Sequence, residues 1–187
     1  MPGESDRIDL SEHELRGVAG YAADAARRTL SIFEQSLPAD TRPREAIDAA
    51  YAFAGGDRRT GSLRQRAWAA YKAAQEVASP AAAEAARAAS HAAAAAYLHP
   101  RGSAHQVKHV LGAAAHAARA EELAPEEGLS VTGGPVDGTR GTGGTLDWAR
   151  QHAPAAVTAV LGRLPAAAPG GGRVGELIRD LDAALRA

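Results

Sequence analysis

Histidine is the one side chain whose ordinary pKa lets it gain and lose a proton near neutral pH. Five of the seven histidines in this chain lie between positions 91 and 116: His91, His99, His105, His109 and His116. Read on one helix at about 100° per residue, His109 sits roughly 40° and His116 roughly 20° round from His105. The three form a stripe with Gly112 between them, and Val107, Leu111, Ala114 and Ala118 fall on the opposite side. Such a row offers acid/base groups to a pocket or a partner, with Gly112 leaving room for a ligand. The alternative is a solvated face shared with Lys108 and Arg119. A His pair at i, i+4 can chelate a metal, but His-Glu-x-x-His is absent and spacing supplies no third ligand, so no metal and no cofactor is assigned.

Other concentrations of charge and aromatic surface are few. Glu84, Arg87 and His91 share one side of a helix and read as local surface pairs or as a polar cleft. Asp40-Thr41-Arg42-Pro43-Arg44 is a proline-stiffened turn in which Arg44 and Asp48 are spaced to pair, and in which the arginines suit a carboxylate or another small anion. Arg64, Trp68 and Tyr71 form an i, i+4, i+7 stripe. Burial in the core is the default for these scarce aromatics, although tryptophan, tyrosine and arginine also dominate binding hot spots. Pro169-Gly170-Gly171-Gly172-Arg173 reads as a flexible lead-in to the last helix, since it has no P-loop lysine and follows no strand. There is no Gly-x-Ser-x-Gly elbow and no cysteine nucleophile.

The elements that must position these groups are helices. Ser11 and Glu14 have the form of a capping box, opening a long helix that runs to Leu37 before Pro38. A second helix follows Pro43 and ends at Gly55-Gly56; a third is capped by Ser62. Ser79-Pro80 opens a fourth, which ends at His99-Pro100. The fifth starts near Ser103 and reaches Leu123. Residues 125–144, rich in Pro, Gly and Thr, read as a flexible loop inside a single domain. A sixth helix from Thr145 is kinked or split by Pro154, and the last carries Val174, Leu177, Ile178, Leu181 and Leu185 on one face. The expected fold is all-α, a single-domain bundle or orthogonal array of six to seven helices.

Composition agrees. About a quarter of the 187 residues are alanine, with only two Phe, two Trp and four Tyr. A sheet would be poorly supplied, and the core must gain from close helix approach. The net charge of -1 and the absence of a basic run argue against nucleic acid. No segment is long and apolar enough for a membrane span, and the polar stretch 1–10 does not read as a signal peptide, so the expected location is the cytoplasm.

Three stretches taken together carry a resemblance. They are 40–50, from Asp40-Thr41-Arg42-Pro43-Arg44 to Ala49-Ala50; 91–100, from His91 to Tyr97-Leu98-His99-Pro100; and Gln106-Val107-Lys108-His109-Val110-Leu111-Gly112 continuing to Ala120. In order and spacing the chain resembles the Imm-five-like immunity-protein family of bacterial polymorphic toxin systems, over roughly residues 10–123. The resemblance implies an all-α protein that binds a toxin-like protein and occludes its active site. Contact candidates are Arg42, Arg44, Asp48, Arg64, Trp68, Tyr97, Lys108 and His116. The competing expectation is a small helical enzyme or ligand-binding protein, with His91, His99, His105 or His109 as acid/base and Asp40 or an arginine holding an anionic substrate. Alanine faces also pack helices between subunits, which makes a homo-oligomer a third alternative.

Overall fold

The computed structural model describes residues 7–131 and 144–187. These form nine α-helices: α1 (Glu12–Arg27), α2 (Leu30–Ser36), α3 (Arg42–Ala54), α4 (Gly61–Glu76), α5 (Pro80–Ala94), α6 (Val107–Leu123), α7 (Thr145–His152), α8 (Ala155–Gly162) and α9 (Gly172–Arg186). Short 3-10 turns cover Ala95–Tyr97, Ala104–Gln106 and Ala124–Glu127. Among the described residues there is no strand, only an isolated bridge between Arg7 and Arg101. The fold is the all-α single domain that composition and periodicity predict.

The centre is α5. It packs against α1, α2, α3, α4 and α6, and nine of its alanines are buried, from Ala81 to Ala93. Small side chains let helix axes come close, replacing the area that large residues would bury with short-range contact. α6 answers with Val107, Val110, Leu111, Gly112 and a row of alanines. The larger core side chains, Phe33, Phe53, Ile32 and Ile47, come from α2 and α3.

Caps fall where the polar residues predict at two helix starts. The Ser11 hydroxyl accepts from the Glu14 backbone N–H at 3.1 Å, and the Ser11 N–H donates to the Glu14 carboxylate at 2.9 Å. Ser79 accepts from the Ala82 N–H at 3.0 Å. Three boundaries differ from expectation. The first helix breaks at Arg28-Thr29. The backbone N–H groups of both residues bond three residues back, to Ala25 and Ala26, and the Arg28 guanidinium leaves the helix to cover the Trp148 ring at 5.3 Å. The third helix starts at Gly61 after Thr60, not after a Ser62 cap. Residues 124–127 are not loop: the Glu127 carboxylate accepts from Ser79 Oγ and from the Ala81 N–H, the latter at 2.9 Å, and so closes the N-terminus of α5. Of the rest of the expected loop, 132–143 lies outside the described residues.

Pro154 splits the sixth predicted helix into α7 and α8. With the break at Arg28-Thr29, this turns seven expected helices into nine. The linker to α9 is tied down by buried Asp182, whose carboxylate accepts from the Ala167 N–H at 2.9 Å and from Arg186 at 2.7 Å.

Two helices approach closely where α1 meets α8. A Cβ on Gly17 would stand 2.6 Å from the Ala156 Cβ. Gly17→Ala is therefore expected to destabilise by about 1–3 kcal/mol through overpacking, or about 2–4 °C of Tm for each kcal/mol. Gly61→Ala, where an added Cβ meets nothing within 4 Å, serves as the control and leaves Tm unchanged or slightly higher. Thermal unfolding followed by circular dichroism checks both.

Candidate functional site

The five histidines come together, along a seam between α5 and α6. His91, on α5, lies with its ring centroid 4.9 Å from that of His116 and 6.4 Å from that of His109. His109 in turn meets His105 edge-on at 5.6 Å. His99 is close enough for its charge to press on His109. At the far end His116 Nδ1 stands 2.5 Å from a Glu84 carboxylate oxygen, and Arg87 holds the other oxygen at 2.7 Å.

Two expectations about this row change. His105 sits in the 3-10 turn before α6, so it is not part of one continuous helical stripe. Gly112 does leave room, but for a side chain of the protein itself: a Cβ there would lie 2.7 Å from His91 Nδ1. The imidazole of His91 occupies the space assigned to a ligand. His91, His109 and His116 are half-buried between α5 and α6, while His99 and His105 at the open end are exposed.

Burial governs the electrostatics. Desolvation, reinforced by the charges of His116, His109 and Lys108, lowers the His91 pKa to about 3. Desolvation with Lys108, His105 and His99 lowers that of His109 to about 4. Both rings are neutral at physiological pH. Burial works against the charge of Glu84, but the hydrogen bond and charge of His116, with Arg87, outweigh it and hold the carboxyl below its ordinary range. The result is a line of touching imidazoles anchored at one end by a carboxylate. Among the described residues no group of His, Asp and Glu is arranged to hold a metal.

Asp40, Arg42 and Arg44 do not join this row. Asp40 takes a forked contact from Arg42, with Nε at 2.9 Å and the terminal nitrogen at 2.6 Å, and Arg42 also reaches Glu76 at 2.6 Å. That guanidinium holds the Asp40 carboxyl below the usual carboxylate range, offset in part by burial. Arg44 pairs with Glu34 at 2.7 Å rather than with Asp48, which is exposed and unpaired. Helical spacing allowed an Arg44–Asp48 pair; the packing of α2 beside α3 supplied a better-placed acid.

The aromatic stripe departs furthest from expectation. Trp68 is 60 % exposed and Tyr71 38 %, and their rings stack at 5.4 Å. α4 carries two helical stripes. The one through Leu63, Ala67, Ala70 and Ala74 is buried, because only small residues fit so close to α5. The one through Arg64, Trp68, Tyr71 and Gln75 is left outside, lining a groove of about 570 Å³ with Ser90, Ala94 and Tyr97. The Arg64 guanidinium lies 4.2 Å from the Tyr97 ring centre and that of Arg59 5.3 Å. Arg59 was not legible as a site residue, since it reaches Tyr97 from the loop before α4. A smaller pocket of about 160 Å³ is lined by His105, Lys108 and the turn at Gly170 and Gly171. No histidine lines the larger groove, and only His105 lines the smaller one.

The buried imidazoles make stability depend on pH. An unfolded histidine titrates near 6.5, so below that value the unfolded chain takes up protons that His91 and His109 refuse in the fold. Stability is therefore complete above 6.5 and is lost progressively as pH falls toward their folded values. In the window from 6.5 down to 4.5, the upper part, above about 5.5, is dominated by histidine, because glutamate ordinarily titrates at 4.5, roughly a pH unit lower. Denaturant midpoints measured across that window are expected to fall with pH, and His91→Gln is expected to flatten the slope without removing the part due to His109.

The sequence was compared with known proteins. No curated protein and no solved structure matches it. Residues 8–132, about two thirds of the chain, match the family described as Imm-5 like putative immunity protein. The match spans α1 to α6, and so takes in both the histidine seam and the aromatic groove. The chain belongs to that family.

Proposed function

We propose that the protein is an immunity-type protein that binds a toxin-like partner protein and blocks its action, using the outer face of α4 and the edge of α5. The observation that carries this reading is the exposed Trp68–Tyr71 pair beside Tyr97 and Arg64. Tryptophan, tyrosine and arginine are the side chains that concentrate binding energy when a partner excludes water from them. Left facing solvent, an indole gives the free protein nothing that balances its apolar area. Family membership supports the same reading. Among the described residues no helix is long and apolar enough to cross a membrane.

The enzymatic reading has one observation in its favour, the contiguous imidazoles. A substrate would need a cavity beside them. The inner rings His91, His109 and His116 line neither groove, and the substrate-holding role expected of Asp40 conflicts with its ion pair to Arg42. The seam is better understood as packing between α5 and α6 in which His91 and His109 stay neutral.

Recovery of the chain from its native cells should yield a stoichiometric complex with one protein whose expression alone arrests growth, and co-expression of the chain should restore growth. Trp68→Ala is expected to weaken that complex by about 2 kcal/mol or more while shifting unfolding by no more than about 0.5 kcal/mol, as is usual at exposed positions. Absence of any stoichiometric protein partner would count against the proposal, and so would a Trp68→Ala variant that binds as tightly as the parent.

A further inference from the structure

The lining of the groove carries one charge, that of Arg64, and it is positive. Arg58, Arg59, Arg64 and Lys72 make no ion pair among the described residues: Arg59 donates to the Ala96 carbonyl at 3.0 Å and covers Tyr97, and Arg64 also rests on that ring. On the neighbouring surface of α3 to α5 the opposite holds, with Arg42, Arg44, Arg66 and Arg87 all paired to carboxylates. None of the residues lining the groove is acidic.

From this charge imbalance we infer that the groove receives an acidic segment of the partner protein. Apolar side chains of that segment lie on Trp68 and Tyr71, and its carboxylates meet the Arg59 and Arg64 guanidiniums at the Tyr97 end. This rests on the protein-binding reading above and adds the chemistry of what is bound. Guanidiniums already oriented over a ring are ready to receive carboxylates in forked geometry, with less side-chain freedom to lose than free arginines. The groove is open and elongated along α4, as suits a chain segment laid across it. A nucleic acid would also use arginine and stacked aromatics, but the chain as a whole carries a net charge of -1. Arg42 and Arg66 on the adjoining surface are already paired to Glu76 and Glu45, so no continuous track of free cations exists for a polyphosphate.

The inference is tested on the full chain in its native cells, with p-benzoylphenylalanine in place of Tyr71 and, separately, in place of Arg150 on α7 as a distant control. After irradiation the attached molecule is identified by mass spectrometry. The expected result is a protein adduct from position 71 only, joined through a peptide rich in Asp and Glu. Its yield should fall at least tenfold with Arg64→Glu or Lys72→Glu, and less with Arg64→Lys, which keeps the charge but loses the fork. Circular dichroism confirms that each variant is folded. Adducts through an uncharged or basic peptide, or an adduct unaffected by both charge reversals, would overturn the acidic-segment inference and leave the protein-binding reading standing. So would protein adducts from position 150 alone. A nucleic-acid adduct at position 71 would overturn both, as would the absence of protein adducts from either position together with the absence of any copurifying protein.

Discussion

Close approach of α5 to the helices around it is the constraint on which the rest of the molecule depends. An alanine-rich helix buries little area per residue, so it contributes mainly by letting its neighbours come near. Once α4 and α6 are drawn in by Ala67, Ala70 and Ala74 on one side and by Gly112 and the alanines of α6 on the other, there is little room between them for anything large. Bulk is accommodated at the margins. Phe33, Phe53 and Ile47 are supplied by α2 and α3 against the alanines of α5, Tyr21 stacks on Trp148 at 5.7 Å, and Trp68 with Tyr71 is pushed outside. His91, a large polar side chain, fits into the α5–α6 contact because α6 has a glycine opposite it.

A core of small residues needs help at its edges, and polar ties supply it. Glu127 closes the start of α5, Glu121 accepts from the Thr145 N–H at 2.7 Å at the start of α7, and Asp182 with Arg186 anchors the linker before α9. Each satisfies backbone groups that a helix end or a turn would otherwise leave bare. Exposed ion pairs such as Arg44–Glu34 add little stability by themselves. Their consequence is distributional: they occupy the cations over α3 and leave those beside the groove without partners.

Two sides of α5 thus have different characters. Glu84 and His91, seven positions apart, face α6 and form the buried seam. Ser90, which donates to the Ala67 carbonyl at 2.8 Å, and Ala94 face α4 and form the floor of the groove. Desolvation in the seam keeps His91 and His109 neutral, so it couples the packing of the protein to pH. The groove is open, aromatic and cationic, so it suits recognition.

The all-α fold, the caps at Ser11 and Ser79, the break at Pro154 and the concentration of histidine were legible in the sequence, because each depends on neighbours within a few positions. The immunity-protein family was legible too, through three short stretches whose order matters more than any one of them. What only the tertiary structure decided was which side of a helix faces in. α4 carries two stripes at helical spacing, one through Ala67 and one through Trp68. Hydrophobicity by itself favours burying the larger, whereas the distance to α5 admits only the smaller. The same holds for Gly112, whose empty space is taken by a ring twenty-one positions earlier in the chain, and for Arg44, which turned from Asp48 to Glu34. Spacing along one helix determines which residues share a face; the separation between helices, set here by alanine, determines what each face can hold.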